Sequence, residues 1–369
     1  MAEKTTLKDI ADEVGVSISA VSRVLNGGTG RISQEKRELI LKVAERRHYL
    51  PNQIARSLVV GRSRSFGLIL PSIESRTYTA LTRSLEEMCR VRGYGLFITN
   101  SGDKPEMDVE LVNLLVERGV DAIFLVPSND AGLTNALRDR LEQLPIPFVM
   151  TGRYIANYAC DRVYYDNELG GYLATKHLID MGHRKIACVA NTETSNTGRA
   201  RFRGYVKALE EARIYPEPDM VLTARYTMKS GYCAGKKLVG TDATAVFAGS
   251  DYIALGIRKA FLEAGRTVPE DLSIVASDQS ESDFLLEPPM TAMIQDMEVL
   301  AFYALSMVSE RLEGSSASEP MEVVLPPDLK LGGSVRCLGG AEAGATPPPP
   351  HRKYEVTKRA ARAEDATRA

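Results

Sequence analysis

The amino-terminal spacing of apolar residues is the feature that most constrains how this chain folds. Apolar side chains recur at helical spacing in two short segments on either side of Gly15, namely Leu7, Ile10, Ala11 and Val14, then Val21, Val24 and Leu25. Two short helices joined by a glycine-containing turn make a helix-turn-helix, whose second helix enters the major groove of DNA. The pattern therefore predicts a small all-α module that meets DNA.

Hydroxyl side chains stand at the predicted helix starts of this module. Thr6 precedes Asp9 by three residues, as in a capping box, and Ser17 is placed to cap the second helix. Ser33 begins a third helix whose apolar residues close a three-helix core: Leu39, Ile40, Val43 and Ala44.

Charge is unevenly distributed along the 369 residues, although the net charge is only −2. Residues 1–65 hold twelve Lys or Arg and seven Asp or Glu, a balance of +5, so the remainder carries −7. A basic module joined to an acidic body is expected where one end of the chain meets phosphates.

The five cysteines indicate a reducing compartment. They are scattered, odd in number and without a CxxC pair (Cys89, Cys160, Cys188, Cys233 and Cys337), which is typical of structural thiols. No apolar leader follows Met1, and no run of eighteen apolar residues occurs. We therefore expect a cytoplasmic protein that is not in a membrane.

Signals for catalysis are weak. The four histidines have no metal-ligand spacing (His48, His177, His183 and His351), and no G-x-S-x-G nucleophile turn occurs. The segment GYCAGKK at 231–237 is one residue short of a phosphate-binding P-loop. We expect no catalytic residue, no metal, no cofactor and no enzymatic activity.

From Phe66 onward, apolar strands alternate with amphipathic helices, which predicts parallel sheets covered on both faces. The strand candidates are FGLILP, GLFIT, AIFLVP, PFVMT, KIACVA, VLTARY, AVFAGS and LSIVASD. The segment TGRYIANYACDRVYYDN lacks a strong period and suggests a crossover from a first sheet to a second. The later TAMIQDMEVLAFYALSMVSERLEG is expected to return a strand and a helix to the first sheet.

Taken together, these features resemble the lactose-repressor (LacI/GalR) family of bacterial transcription regulators. The resemblance covers about residues 5–338 and is carried by LKDIADEVGVSISAVSRVLN, with YLPNQIARSL some two dozen residues later. GHRKIACVAN, RFRGYVKAL, AVFAGSDYIALG and SIVASDQSESDFLLEPPMTAMIQ add to it. It implies a helix-turn-helix headpiece, a hinge helix and an α/β two-lobed core like that of periplasmic binding proteins, with two parallel doubly wound sheets.

The resemblance also implies the division of the chain. We expect a DNA-binding domain at 1–50, a hinge helix and linker at 51–64, and an effector-binding and dimerisation core at 65–338. The N-lobe of that core comprises about 65–163 and 294–324, and the C-lobe about 164–293 and 325–338. Residues 339–369, with four consecutive prolines and many basic residues, are predicted to be a disordered tail.

DNA contacts are inferred from the family positions. The second helix is expected to read base edges, with Arg23 on a guanine and Ser17 and Ser22 on phosphates. Leu58 matches a leucine that the family inserts into the minor groove. The full set is Ser17, Ile18, Ser19, Ala20, Ser22, Arg23, Asn26, Asn52, Ala55 and Leu58. A homodimer on a pseudo-palindromic double-stranded operator is the expected assembly, associated with the nucleoid when bound.

Ligands of open α/β sheets lie at the carboxyl ends of strands, which in a two-lobed core means between the lobes. The expected effector-binding residues at such ends are Tyr78, Arg153, Thr197, Arg201, Ser250, Asp278 and Gln295. Arg201 and Asp278 suit vicinal hydroxyls, because one side chain donates hydrogen bonds and the other accepts them. Asp251 is open to two interpretations, a ligand contact or the cap of the following helix.

The class of effector stays open among three alternatives. Several arginines at the cleft, and Gly152 where many relatives carry an acid, favour an anionic ligand such as a sugar acid. A neutral sugar is close behind, and the NTG-x-x-R spacing at 196–201 leaves a purine or nucleoside open. The sequence thus predicts a repressor in carbohydrate metabolism controlled by a small molecule. A solute-binding protein that does not bind DNA is the competing class, against which the headpiece argues.

Overall fold

The computed structural model describes residues 5–25, 28, 32–49, 61–129, 135–278, 285–314, 319–338 and 357–360. The chain divides into two compact units, Met1–Ser63 and Arg64–Ala369. The smaller unit is all helical and the larger one is α/β.

The smaller unit contains α1 (Leu7–Val14), α2 (Ile18–Leu25) and α3 (Gln34–Arg46). The three predicted caps are confirmed. The Thr6 hydroxyl accepts from the Asp9 amide in a complete capping box, the Ser17 hydroxyl accepts from Ala20, and the Ser33 hydroxyl accepts from Lys36. The caps satisfy amide donors that the first helical turn leaves without partners.

The core of this unit is formed by one apolar stripe on each helix. Ile10, Val21 and Ile40 are fully buried. Leu39, which the sequence analysis placed in the core, is instead 45% exposed. It lies about 100° around the helix from Ile40, so it falls outside the stripe that Ile40 and Val43 bury.

The larger unit contains two sheets. The first has the strand order β13-β11-β5-β4-β3-β1-β2, and the second β12-β10-β9-β8-β6-β7. The strands are β1 (Ser65–Leu70), β2 (Gly95–Asn100), β3 (Ala122–Leu125), β4 (Phe148–Thr151), β5 (Arg162–Tyr165), β6 (Ile186–Ala190), β7 (Val221–Thr223), β8 (Ala245–Ala248), β9 (Ser273–Ser277), β10 (Thr291–Ile294), β11 (Met321–Leu325), β12 (Asp328–Lys330) and β13 (Thr357–Ala360). All pairings are parallel except those of β12 and β13, the two antiparallel edges.

Eight helices cover these sheets on both faces: α4 (Arg76–Val91), α5 (Pro105–Glu117), α6 (Ala136–Glu142), α7 (Asn167–Asp180), α8 (Asn196–Glu211), α9 (Met228–Leu238), α10 (Asp251–Glu263) and α11 (Met297–Leu312). On the first sheet, α4 and α11 cover one face and α5 and α6 the other. On the second sheet, α7 and α8 lie opposite α9 and α10. Within the part of the chain that is described, no helix is long and apolar enough to cross a membrane.

The eight predicted strands all form, and a ninth was missed. β5 (Arg162–Tyr165) lies in the segment interpreted only as a crossover. Its RVYY sequence hides the strand because Arg162 is buried by pairing with Glu322 of β11, at 2.8 Å from Nε to Oε1, rather than by being apolar. The chain crosses to the second sheet only after Tyr165, so the predicted lobe boundary at 163/164 falls inside β5.

The predicted return to the first sheet is wrong for the strand and right for the helix. β10 pairs in parallel with β9 of the second sheet, with Thr291 opposite Val275. The chain crosses back only after Ile294, and α11 then packs on the first sheet. The crossing segments are joined to one another, since the Tyr165 hydroxyl donates to the Asp296 carbonyl at 2.7 Å and the Asp166 amide to the Leu325 carbonyl at 2.8 Å.

The predicted disordered tail, 339–369, lies outside the described residues except for β13. Those four residues form a strand, so for them the prediction is wrong. The physical reason is that β11 would otherwise end the sheet with unpaired backbone donors and acceptors, which pair readily with an extended segment.

Two glycines bring α7 and α8 into backbone contact. A Cβ at Gly171 would lie 2.0 Å from the Arg201 carbonyl oxygen, and one at Gly204 would lie 2.0 Å from the Glu168 carbonyl oxygen. No side chain fits at either position, so the pair fixes how closely α8, and with it Arg201, lies against α7.

The segment 331–338 is bonded to the second sheet, and His183 is part of that attachment. His183 is fully buried, with Nδ1 3.0 Å from the Thr244 hydroxyl and Nε2 3.1 Å from the Arg336 carbonyl oxygen. Its amide donates to the Leu178 carbonyl, the helix-ending role that the sequence suggested. Burial lowers the pKa of His183 to about 4, against the hydrogen bond to Arg336, which raises it.

Acidification is therefore expected to destabilise the larger unit through His183. The unfolded chain takes up the proton near pH 6.5 and the folded protein only near pH 4, so this contribution is complete above pH 6.5 and is lost as the pH falls towards 4. Linkage puts the loss at about 2 kcal/mol between pH 7.5 and pH 5. Urea unfolding of His183→Gln at both pH values should show a pH dependence smaller by that amount. An unchanged slope would contradict the assignment, and His48→Gln, at an exposed position, is the control.

Candidate nucleic-acid interface and ligand cleft

The second helix of the smaller unit has one exposed and one buried face. Ser17, Ile18, Ser19 and Arg23 are exposed, whereas Val21 and Val24 are buried in the three-helix core, as the sequence predicts. Ala20 and Ser22 are half-buried. At 48% exposed, Ile18 does not fill the core, which leaves its apolar surface available for a contact such as a thymine methyl.

Four of the predicted DNA contacts cannot be placed. Asn26, Asn52, Ala55 and Leu58 lie outside the described residues, as does most of the predicted hinge 51–64. Basic residues at the end of α3 are partly neutralised, because Glu13 of α1 pairs with both Arg46 and Arg47. Arg23, for which no such pair occurs among the described residues, keeps an uncompensated charge on the exposed helix face.

A cavity of about 880 Å³ lies at the carboxyl ends of the strands of both sheets, between the two lobes. Its size is in the upper part of the range for small-molecule sites, about 300–1,000 Å³. All seven residues predicted to bind an effector line it: Tyr78, Arg153, Thr197, Arg201, Ser250, Asp278 and Gln295. The structure thus brings the whole predicted set together.

On the C-lobe side of the cleft, Arg201 and Asp278 face each other without a direct hydrogen bond. One terminal nitrogen of Arg201 donates to the Gly249 carbonyl at 2.6 Å, and the other lies 3.7 Å from Asp278 Oδ2. Arg201 Nε is buried and has no hydrogen-bond partner. Burial raises the pKa of Asp278, and the charge of Arg201 opposes that shift. The two side chains keep donor and acceptor capacity for a ligand.

The backbone of Asp278 is itself unusual. Its φ of 72° lies in the left-handed region, which aspartate tolerates better than most residues, and its amide donates to the Met293 carbonyl at 2.9 Å. Such conformations cluster at ligand sites, where the surrounding structure holds them. The turn directs the carboxylate into the cavity instead of along the strand.

On the N-lobe side, Arg153 is paired with a carboxylate that the sequence analysis did not assign. Arg153 Nη1 lies 2.9 Å from Asp103 Oδ1, and its guanidinium lies over the Tyr78 ring at 5.5 Å from the centroid. The Asn129 side chain donates to the other oxygen of Asp103 at 2.8 Å. Desolvation raises the pKa of Tyr78 to about 12, so this ring stays a neutral phenol. The absence of an acid at Gly152 is thus compensated by Asp103, fifty residues before Arg153.

Helix α10 settles the two interpretations of Asp251. The cap is Ser250, whose hydroxyl accepts from the Ile253 amide at 3.1 Å. Asp251 follows in the first turn and accepts from the amide of Tyr252. Both side chains line the cleft, but the capping bond engages the Ser250 hydroxyl, which sequence reasoning had assigned to a ligand alone.

A cluster of hydroxyls beside the Arg201 site was missed by sequence reasoning. The Ser195 hydroxyl lies 2.9 Å from that of Thr197 and 3.1 Å from that of Tyr226. Tyr226 is the last residue of VLTARY, a segment that the sequence identifies as a strand. The strand-end rule that selected the other cleft residues also selects Tyr226 when it is applied to this strand.

The lobes touch across the mouth of the cleft. The Tyr252 hydroxyl donates to the Glu74 carbonyl at 3.2 Å, and the Asn196 side chain donates to the Tyr154 carbonyl at 2.5 Å. Within the described residues, no group of three His, Cys, Asp or Glu side chains is placed to hold a metal ion. The arrangement is that of a binding cleft with donors and acceptors on both walls.

Two family models match the chain. Residues 6–52 match the model of the bacterial regulatory proteins of the lacI family, and residues 175–335 match a periplasmic binding protein-like domain. The HTH-type transcriptional repressor PurR of Pasteurella multocida is 32% identical over 333 residues, which cover 90% of this chain and 98% of PurR. The chain belongs to the LacI family of bacterial regulatory proteins. PurR of Histophilus somni is 31% identical over a similar span, 90% of this chain and 99% of that protein.

Solved structures agree with this membership. The regulator CelR in complex with cellobiose has a TM-score of 0.68 and 27% identity, covering 90% of this chain and all of CelR. The Lac repressor dimer bound to operator and the anti-inducer ONPF has a TM-score of 0.81 at 23% identity, over 90% of this chain and all of that one, and shares the fold. The predicted family and the two-lobed architecture are thereby confirmed, and this LacI-family protein is a DNA-binding transcriptional repressor.

Proposed function

We propose that this LacI-family repressor binds a pseudo-palindromic operator as a dimer and responds to an uncharged, polyhydroxylated small molecule in the interlobe cleft. The observation that carries the ligand class is the pairing of Arg201 with Asp278, a donor and an acceptor 3.7 Å apart in a buried wall. Adjacent hydroxyls of one ligand can bridge such a pair, because each hydroxyl both donates and accepts.

The charge of the cleft supports a neutral ligand over a sugar acid. The lining holds four arginines and four carboxylates: Arg76, Arg153, Arg201 and Arg225, with Glu74, Asp103, Asp251 and Asp278. The sugar-acid expectation assumed arginines without counter-charges, whereas Asp103 and Asp278 stand beside the two buried ones. An additional carboxylate on the ligand would meet Asp278 in a buried wall, which costs binding energy.

A purine or nucleoside is the second candidate. It rests on the relatives named PurR and on two aromatic side chains in the cleft, Tyr78 and Tyr226, which offer faces or hydroxyls to a planar base. A nucleoside would place its ribose hydroxyls on the same Arg201 and Asp278 pair. A free base has no vicinal hydroxyls for that pair.

Isothermal titration with matched ligands separates these candidates. The panel contains neutral mono- and disaccharides, the corresponding sugar acids, purine bases and nucleosides. We expect a neutral sugar to bind at least tenfold more tightly than its acid. An acid that binds more tightly than its neutral parent would overturn the proposal, and a base that binds as well as its nucleoside would replace it with the purine interpretation.

Dimerisation is supported by the exposed edge of the first sheet. β2 is its outer strand, and Phe97 and Ile98 on it are 48% and 46% exposed. An apolar edge strand of this kind is a surface that proteins normally cover. Sedimentation of the full chain should give a dimer, and Phe97→Glu should shift it towards monomer. A stable tetramer would contradict the proposal.

Arg23 is expected to contribute sequence specificity. A good bidentate contact to guanine discriminates by roughly 1–3 kcal/mol, so Arg23→Ala should weaken binding to an operator selected in vitro by about 5- to 150-fold. Binding to random DNA should change far less, because phosphate contacts carry no sequence information. Lys42→Ala, which removes an exposed cation of the same unit, is the matched control. Equal losses on both DNAs for Arg23→Ala would assign Arg23 to phosphate.

A further inference from the structure

A second cavity lies away from the cleft, at the edge of the first sheet. It has a volume of about 500 Å³ and runs between α11 and β11; we call it the edge groove. Phe302 and Met307 of α11 supply apolar surface, and Phe302 is 51% exposed. Met321 stands at the start of β11 on the opposite side. An apolar groove beside a sheet edge is suited to an extended peptide.

The rim of the edge groove is acidic, because the nearby cations are already neutralised. Arg311 holds Asp161 through two hydrogen bonds of 2.7 Å, and Arg162 is paired with Glu322. Glu310 and Glu319 line the groove and form no ion pair within the described residues. A segment that covers the groove is therefore favoured if it carries positive charge.

The chain's own tail already reaches this edge. β13 pairs antiparallel with β11, placing Arg359 opposite Glu322 and Lys358 opposite Val323. Because Arg162 of β5 is also opposite Glu322, the three strands form a cross-strand row of Arg, Glu and Arg. Opposite charges in directly facing positions stabilise a sheet, by roughly 0.2–1 kcal/mol per pair.

Composition and length also fit the tail to this site. Residues 351–362 contain five Lys or Arg and a single acid, Glu355. Between Leu338 and β13 stand eighteen residues, 339–356, which span up to roughly 60 Å when extended. Pro347–Pro350 favour an extended conformation of that connection. The connection is long enough for the tail to pair with β11 of its own chain.

We propose that the edge groove is the docking site of this chain's own carboxyl-terminal segment, with Thr357–Ala360 added in cis as a strand on β11. The cations of 351–362 counter the acidic rim formed by Glu310 and Glu319. Docking covers a sheet edge that would otherwise be open to strands of other proteins, and it attaches the tail to the strand that leads into the crossing between the lobes.

Hydrogen exchange on the full chain tests the docking. Lys358→Pro removes a ladder donor from β13 and should speed exchange of the β11 amides that face it at least tenfold. Ala363→Pro, in the same tail beyond the strand, should leave them unchanged. Unaltered β11 exchange in Lys358→Pro would overturn the proposal.

Charge and connectivity have separate tests. Glu310→Lys with Glu319→Lys should speed the same amides at least threefold, whereas Glu87→Lys, an exposed change on α4 of the same lobe, should not. For connectivity, Met321→Cys and Ala360→Cys occupy facing positions, in a chain whose exposed Cys233 and Cys337 are replaced by serine. Oxidation should give an intrachain disulfide with monomer mass. A disulfide-linked dimer, or no effect of the rim charges, would overturn docking in cis or its electrostatic basis.

Discussion

Gly171→Ala is expected to destabilise the larger unit by about 3 kcal/mol or more, lowering its Tm by about 10 °C. The added methyl would lie 2.0 Å from the Arg201 carbonyl oxygen, a distance that requires α7 and α8 to separate. Backbone atoms cannot turn aside as a flexible side chain can. Because Arg201 is on the displaced helix, ligand affinity should fall together with stability.

Gly170→Ala is the matched control, one residue away in the same helix. Its methyl would meet only the Pro327 ring, at 3.4 Å, which is an ordinary contact. Alanine is favoured over glycine within a helix by about 1 kcal/mol, so this variant should be neutral or slightly stabilised. Thermal unfolding monitored by circular dichroism checks both variants. Similar melting temperatures for the two would show that the α7–α8 contact is not as close as described.

Asp278→Asn is expected to weaken effector binding by about 10- to 150-fold, because a hydrogen bond to a charged acceptor is worth roughly 1.5–3 kcal/mol. The shape of the side chain is kept, so operator affinity without effector should not change. By linkage, the effector-dependent change in operator affinity should appear only at correspondingly higher effector concentrations. Calorimetry and operator titration measure the two effects separately.

The pH dependence of binding gives an independent check on Asp278. Burial raises its pKa, and the ionised form is the acceptor, so affinity should decline on acidification at a higher pH than an ordinary aspartate would produce. Asp278→Asn should abolish that decline. Asp242→Asn, an exposed carboxylate of the same lobe paired with Lys185, should preserve the wild-type curve. A decline that persists in Asp278→Asn would assign it to another group.

Most of the fold could be predicted because its signals are local. Strongly apolar runs such as β3, bounded by turns and followed by amphipathic helices, identify strands without tertiary information. β5 was missed because the burial of Arg162 depends on Glu322, a residue 160 positions later. β10 was assigned to the wrong sheet because a strand's sequence does not say which neighbour it will pair with.

The candidate site was predictable to the same degree. Residues at strand ends converge in any doubly wound sheet, which is why all seven chosen positions line one cavity. The electrostatic balance was not predictable, since Asp103 and Arg153 meet only through the fold. Whether Ser250 or Asp251 caps α10 depends on the backbone at one residue, where Ser250 has the extended conformation of a cap.

The two crossings after β5 and β10 have a consequence for the order in which the lobes are completed on the ribosome. The N-lobe emerges first, yet its Phe66 and Phe124 layer is covered by α11 and bordered by β11, which are synthesised after β6 to β10. The C-lobe can thus assemble most of its sheet while the lobe begun earlier still exposes an apolar face. Nascent chains halted before residue 297 should therefore be the ones that bind chaperones.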